Sequence, residues 1–150
     1  MLKSIILTIL ISMVPVIELR GGLPFGVAQG LAPLVAAIVS IVGNLLPIPF
    51  LLLFVPKIFD WLRDKKLTHK LILWLEKKAE KNRTKIDKYG WLGLYILVAI
   101  PLPGTGGWTG ALVASCFKMK FWPSMLAIIA GVFTAGAIVL GITYGVTALI

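Results

Sequence analysis

The chain has 150 residues, of which 59% are hydrophobic and 14% charged, and its mean hydropathy is +0.97. Soluble domains are roughly half apolar and about a quarter charged, so an ordinary water-soluble globule is excluded. The net charge of +9 is concentrated, because residues 57–88 hold 11 of the 15 Lys and Arg and 5 of the 6 Asp and Glu. Outside that stretch stand Lys3, Glu18, Arg20, Lys118 and Lys120.

The remainder divides into four apolar blocks, and at about 20 residues per helical crossing the sequence predicts an all-α integral membrane protein, one membrane domain over residues 1–150. Residues 2–29 open like a signal peptide, but Glu18-Leu19-Arg20 stands where cleavage needs small residues, so the block is expected in the mature protein. Pro15, Gly21, Gly22 and Pro24 interrupt its middle, and backbone freed by such a break cannot face lipid. The expectation is a re-entrant hairpin over residues 1–29, returning as a half-helix from about Leu23. Residues 31–56 read as a transmembrane helix with one strongly polar residue, Asn44, and with Pro47 and Pro49 set to kink or unwind its second half.

Residues 57–88 form a basic amphipathic segment, in which Ile58, Trp61 and Leu62, then Leu67, Leu71, Trp74 and Leu75, recur at helical spacing among the cations. Two short helices in the inner interface, or a helical hairpin docked on the spans, satisfy this pattern equally. Either is cytoplasmic, with anionic lipid headgroups rather than nucleic acid as partner. Residues 90–117 are interrupted between Ile100 and Gly107, which predicts a second re-entrant hairpin. Residues 121–150 would be about 45 Å as a straight helix, a second span that must tilt or protrude.

Charge orients these elements. If the third block crossed the membrane, Lys118 and Lys120 would lie opposite the basic segment; if it dips and returns, all these cations share one face, as the positive-inside rule prefers. Both termini then lie outside the cytoplasmic membrane. The same hairpin-plus-span unit is used twice in opposite orientation. A shift of 86 residues superposes Pro15 on Pro101 and Gly21 on Gly107, and a shift of 90 superposes Pro33 on Pro123 and Asn44 on Thr134. Inverted repeats mark transporters.

Glu18 and Arg20 are the ionisable groups set within a block rather than at its edge. Burying either costs about 2.5–3.5 kcal/mol, so both are functional candidates, the alternative being that they pair with each other or cap broken backbone and merely hold the hairpin shut. Arg20 offers a planar fork for phosphate or carboxylate, Gly21 and Gly22 let backbone N–H groups approach the same point before Pro24, and Glu18 is the candidate proton-coupling carboxylate. The second turn, with Pro101, Pro103, Gly104, Thr105, Gly106, Gly107, Trp108 and Thr109, presents hydroxyls, backbone amides and an indole. These suit a ligand shared with the first turn, or glycines that let the two tips touch. Asn44 and Thr134 are candidates for lining a pathway or for bonding across helices. Cys116 and His69 are single residues of their kind, so no metal ligand set and no cofactor are expected. No nucleophile, base and orienter can be assembled, and the chain is expected not to be an enzyme.

Pro15 to Gly26, with its Glu-x-Arg-Gly-x-x-Pro string, and Ala99 to Gly110 resemble the small multidrug export protein family, which looks like a distant branch of the DedA, or VTT-domain, superfamily. The resemblance covers essentially the whole chain. It implies two opposed re-entrant hairpins and transport, with Glu18 as the family's acidic residue and Arg20 beside it. DedA-like relatives are associated with moving phospholipids or carrier lipids, some with proton dependence. A DedA-like arginine in the second hairpin is missing here. The reading is a small secondary transporter of an amphiphilic or anionic substrate, acting as a homodimer or larger homo-oligomer, since two spans can hardly enclose a pathway. The alternative is a non-transporting membrane organiser or scaffold working through its basic segment.

Overall fold

A computed structural model describes residues 1–81, 83–102 and 105–150, and these form α-helices without a strand among them. In chain order they are α1 (Leu2–Met13), α2 (Glu18–Ala28), α3 (Pro33–Leu45), α4 (Ile48–Arg63), α5 (His69–Lys81), α6 (Arg83–Ala99), α7 (Gly107–Cys116) and α8 (Phe121–Leu149).

α1 and α2 form a hairpin. Its turn, residues 14–17, is exposed, and at the open end the Ser4 hydroxyl donates to the Gln29 carbonyl at 3.4 Å. The break is shorter than the sequence suggests. The helix resumes at Glu18 rather than near Leu23, and Gly21, Gly22 and Pro24 lie inside it. The physical reason is packing. A Cβ on Gly22 would strike the Ser12 hydroxyl, and one on Gly26 would press on Ala36 and Thr8 at 3.0 Å. These glycines serve close approach between helices, and Pro24 sits on the exposed face.

α2 ends with Gly30 at φ 87 and the Leu31 N–H on the Gly26 carbonyl at 3.0 Å, a Schellman closure. Pro33 then opens α3, at a position where its missing N–H is harmless. α3 and α4 run on as one 31-residue apolar rod, interrupted at Leu46-Pro47 as the prolines require. The charged stretch is divided among the tail of α4, all of α5 and the start of α6, so it is no separate pair of helices.

α6 and α7 form the second hairpin, turning at residues 100–106. α7 closes as α2 does, with Lys118 at φ 52 and the Met119 N–H on the Ala114 carbonyl at 2.9 Å. Lys118 Nζ lies 3.4 Å from Glu76 Oε1, and Arg63 pairs with the same carboxylate and with Asp60 at 3.1 Å. The open end of this hairpin therefore sits beside the α4–α5 corner. The two hairpins meet by their tips.

Burial is the inverse of a soluble bundle. On α1 the buried residues are Thr8 and Ser12 while Leu2, Ile6 and Leu10 are exposed; on α3 Ser40 and Asn44 are buried while Leu34, Ile38 and Val42 are exposed. A helix that hides its polar side and shows its leucines is solvated by lipid. Among the described residues, Pro33–Arg63 and Phe121–Leu149 are the two helices long and apolar enough to cross a membrane. The interior is small-residue packing around Leu19, Leu23, Ile48, Val98, Ile128 and Val132. On α8 the strip Ala127, Gly131 and Ala135 is buried, with Val98 seated on Gly131. A second strip of small residues on α8, Ala137, Gly141 and Gly145, is open, since a Cβ on either glycine would meet nothing within 4 Å among the described residues.

Candidate functional site

A helix interrupted inside the bundle leaves unsatisfied N–H groups at one end and carbonyls at the other. α7 starts from Gly106, which has no side chain with which to cap it. Glu18, from the other hairpin, supplies the cap: its Oε1 accepts the Trp108 N–H at 3.1 Å, and the Gly107 amide also faces the carboxylate. The Trp108 indole N–H donates to the carbonyl of Met13, the last residue of α1, at 3.0 Å. Arg20 closes the end of α6. Its guanidinium donates to the carbonyls of Leu102 and, at 3.3 Å, Ile100, and to the Thr105 hydroxyl at 2.7 Å. Thr105 Oγ1 in turn lies 2.7 Å and 2.8 Å from the Ile100 and Leu102 carbonyls and ties the turn together.

Three broken ends are thus each closed by a side chain of the opposite hairpin. The signs agree with the helix dipoles, a carboxylate at an N-terminus and a guanidinium at a C-terminus. Glu18 and Arg20 reach across the gap rather than bonding to each other. Glu18 is 3% exposed and has φ 51, a left-handed conformation rare for a residue with a side chain.

Of the residues singled out in the sequence, Glu18, Arg20, Thr105, Gly106, Gly107 and Trp108 come together here, with Pro101 opening the turn. Thr109 stands in the first turn of α7, half-buried. Pro103 and Gly104 lie outside the described residues. Gly21 and Gly22 belong to α2 and their open sides face Ile17 and Ser12, so with Pro24 they form no anion-binding turn. Thr134 fastens α8 to α6 through the Tyr95 hydroxyl at 2.9 Å, away from the tips. Asn44 is beside them: its Oδ1 is 3.2 Å from where a Cβ on Gly107 would sit, and neither of its amide atoms has a partner among the described residues.

No sequence signal marks the carbonyls of Met13, Ile100 and Leu102, because any residue carries one. Ser12 and Ser40 do carry a sequence signal, since each stands four residues from another polar residue, Thr8 or Asn44, on an otherwise apolar helix. A cavity of about 400 Å³ also opens where α4, α5 and the α7–α8 junction meet, walled by Phe59, Met119 and Phe121 and rimmed by Asp60, Glu76 and Lys118.

Two hairpins clasped tip to tip by a buried acid and a half-buried base, beside two helices of membrane-crossing length, define a small helical membrane protein. The chain belongs to the family described as "Putative small multi-drug export protein", whose profile matches residues 18–138 and so takes in Glu18, Arg20 and the whole second tip. No curated protein and no solved structure matches the chain.

Proposed function

We propose that this chain is a small, non-enzymatic secondary exporter of the cytoplasmic membrane that moves an amphiphilic or anionic substrate, drug-like or lipid-like, with Glu18 as its proton-coupling group. The reciprocal closure of the two tips carries the reading. A continuous apolar helix would be the more stable solution in lipid, yet here breaks are kept and closed by a buried acid and a half-buried base. Such a contact opens when either charge is neutralised or drawn away. Protonating Glu18 removes the negative charge facing the α7 amides, and a phosphate or carboxylate on the substrate competes for Arg20.

Lengths support opposed re-entrant hairpins. α2 and α7, 11 and 10 residues, together reach about 32 Å at 1.5 Å per residue, close to the roughly 30 Å hydrocarbon core. Entering from opposite faces, they would meet near the midplane. Each unit runs half-helix, half-helix, left-handed cap and long helix with an early proline (Gly30 and Pro33; Lys118 and Pro123). That order favours an inverted repeat and a DedA-like architecture. The Lys118–Glu76 pair favours a cytoplasmic side for both residues 57–88 and the base of the second hairpin, with the termini outside. The cavity's apolar wall and charged rim suit an amphiphile, and the open strip Ala137, Gly141 and Gly145 suits a homodimer or larger assembly.

A second reading, an organiser of anionic lipid or partner proteins, is favoured by four lysines, Lys57, Lys65, Lys78 and Lys88, each lying over an aromatic ring. Proteoliposomes separate the two. A fluorescent lipophilic cation and a labelled phospholipid are followed under an imposed pH gradient. Wild type should move at least one, and Glu18→Gln and Arg20→Ala should each slow it at least about tenfold, the effect of losing roughly 1.4 kcal/mol. If all three proteins are equally inert while charge reversal on α5 alters the cellular phenotype, the organiser reading stands instead.

A further inference from the structure

We propose that the seam between α1, α2 and α3 holds a file of bound water that carries protons between the open end of the first hairpin and Glu18. The inference rests on the exporter reading for the use of the proton, and on burial alone for the water.

Ser4, Thr8 and Ser12 lie on one face of α1, four residues apart, running from the hairpin's open end to its tip. Ser4 is partly exposed, and Thr8 and Ser12 are fully buried. Across from them α3 buries Ser40 and Asn44, also four apart. A helical serine or threonine normally bonds back to the preceding turn, as Thr8, Ser115 and Ser124 do. Ser12 and Ser40 do not. Of the five buried side-chain polar atoms without a partner among the described residues, four are the Ser12 and Ser40 hydroxyls and the two amide atoms of Asn44.

The glycine contacts show that these groups are close neighbours of one another and of the clasp. A Cβ on Gly43 would lie 2.9 Å from that of Ser12, and one on Gly107 would lie 3.2 Å from Asn44 Oδ1. One on the adjacent Gly106 would strike the Glu18 carboxylate. Lipid offers no substitute partner, and an unmade hydrogen bond in such a setting is costly. Water both donates and accepts, which the hydroxyls and the amide require.

Along such a file an O–H bond forms on the Glu18 carboxylate as one breaks on the last water. Each water then takes a proton from the one before, and bulk hydronium at the Ser4 end supplies the proton and restores the chain. Arg20 is the one charged side chain that shares Glu18's helix. α3 carries no ionisable group, α7 only Cys116 at its far end and α8 only Tyr144 near its C-terminus. α1 has Lys3 at the open end, and α6 keeps its charges, Asp87 and Lys88 among them, at the end remote from the tip. None of these stands between the file and Glu18.

Single cysteines in a Cys116→Ser background, at positions 12, 40 and 44, are compared with lipid-facing positions 10, 38 and 42 in reconstituted protein. The reagent is a small charged methanethiosulfonate added on the Gln29 side, and reaction requires the thiolate and therefore water. The seam positions should react at least about tenfold faster than the lipid-facing ones. Equal, slow rates overturn the proposal. Because the seam is crowded, Asn44→Leu is a second measurement: a wet seam loses hydrogen bonds and the melting temperature falls, whereas a rise means a dry seam and overturns it as well. Neither readout needs a substrate. Fast labelling without export removes the exporter reading and leaves the water file; export with a dry seam does the reverse.

Discussion

Gly106 holds φ 140 and ψ −169, a region almost confined to glycine, and a Cβ there would overlap the Glu18 carboxylate. Two effects therefore combine at one atom. Strain of about 1–3 kcal/mol adds to the loss of the carboxylate's hold on the α7 amides, so Gly106→Ala should destabilise by roughly 2–4 kcal/mol. Gly141 is the control, since a Cβ there meets nothing within 4 Å among the described residues. Gly141→Ala should leave stability unchanged or raise it by up to about 1 kcal/mol, as alanine does in a helix. Thermal melts in detergent compare the two. A Gly106→Ala protein that melts with wild type would mean that the tips do not touch.

At the scale of elements the two hairpins end alike, but Gly30 takes the left-handed position in one and Lys118 in the other. A left-handed lysine carries about 1 kcal/mol of strain that glycine does not. Lys118→Ala loses the contact with Glu76 and keeps the strain, while Lys118→Gly loses both. The glycine variant should be the more stable by about 1 kcal/mol in the same melts, and equal stability would mean that α7 does not end in this cap. Much of this level was legible in the sequence. Pro47 breaks the α3–α4 rod where it stands, and the glycines near residue 106 mark a true turn. Gly21, Gly22 and Pro24 misled, because a glycine kept for close approach to Ser12 looks like one kept for a bend, and only the packed neighbour tells them apart. The same limit hid the partners of Glu18 and Arg20. The sequence marked both charges as out of place in an apolar block, but their partners, the Thr105 hydroxyl apart, are backbone groups about 80 to 90 residues away.

For the whole molecule, Gly30 and Lys118 mark opposite ends of the bundle. The rod Pro33–Arg63, 31 residues and thus about 46 Å, leads from the first cap to the corner where Arg63 and Lys118 share Glu76. That length exceeds the roughly 30 Å of hydrocarbon, so the two caps belong to opposite aqueous faces if the rod spans the bilayer. The cations of residues 57–88 and of the second cap then lie on one side, which the positive-inside rule makes cytoplasmic. Gly30→Cys and Lys118→Cys, each with Cys116→Ser, make this measurable. A membrane-impermeant maleimide applied to intact cells should modify position 30 and leave position 118 untouched until the membrane is permeabilised. Modification of position 118 from outside would mean that residues 90–117 cross completely. The two tips could not then meet from opposite faces, and a clasp between Glu18 and the amides of α7 could not serve as a gate.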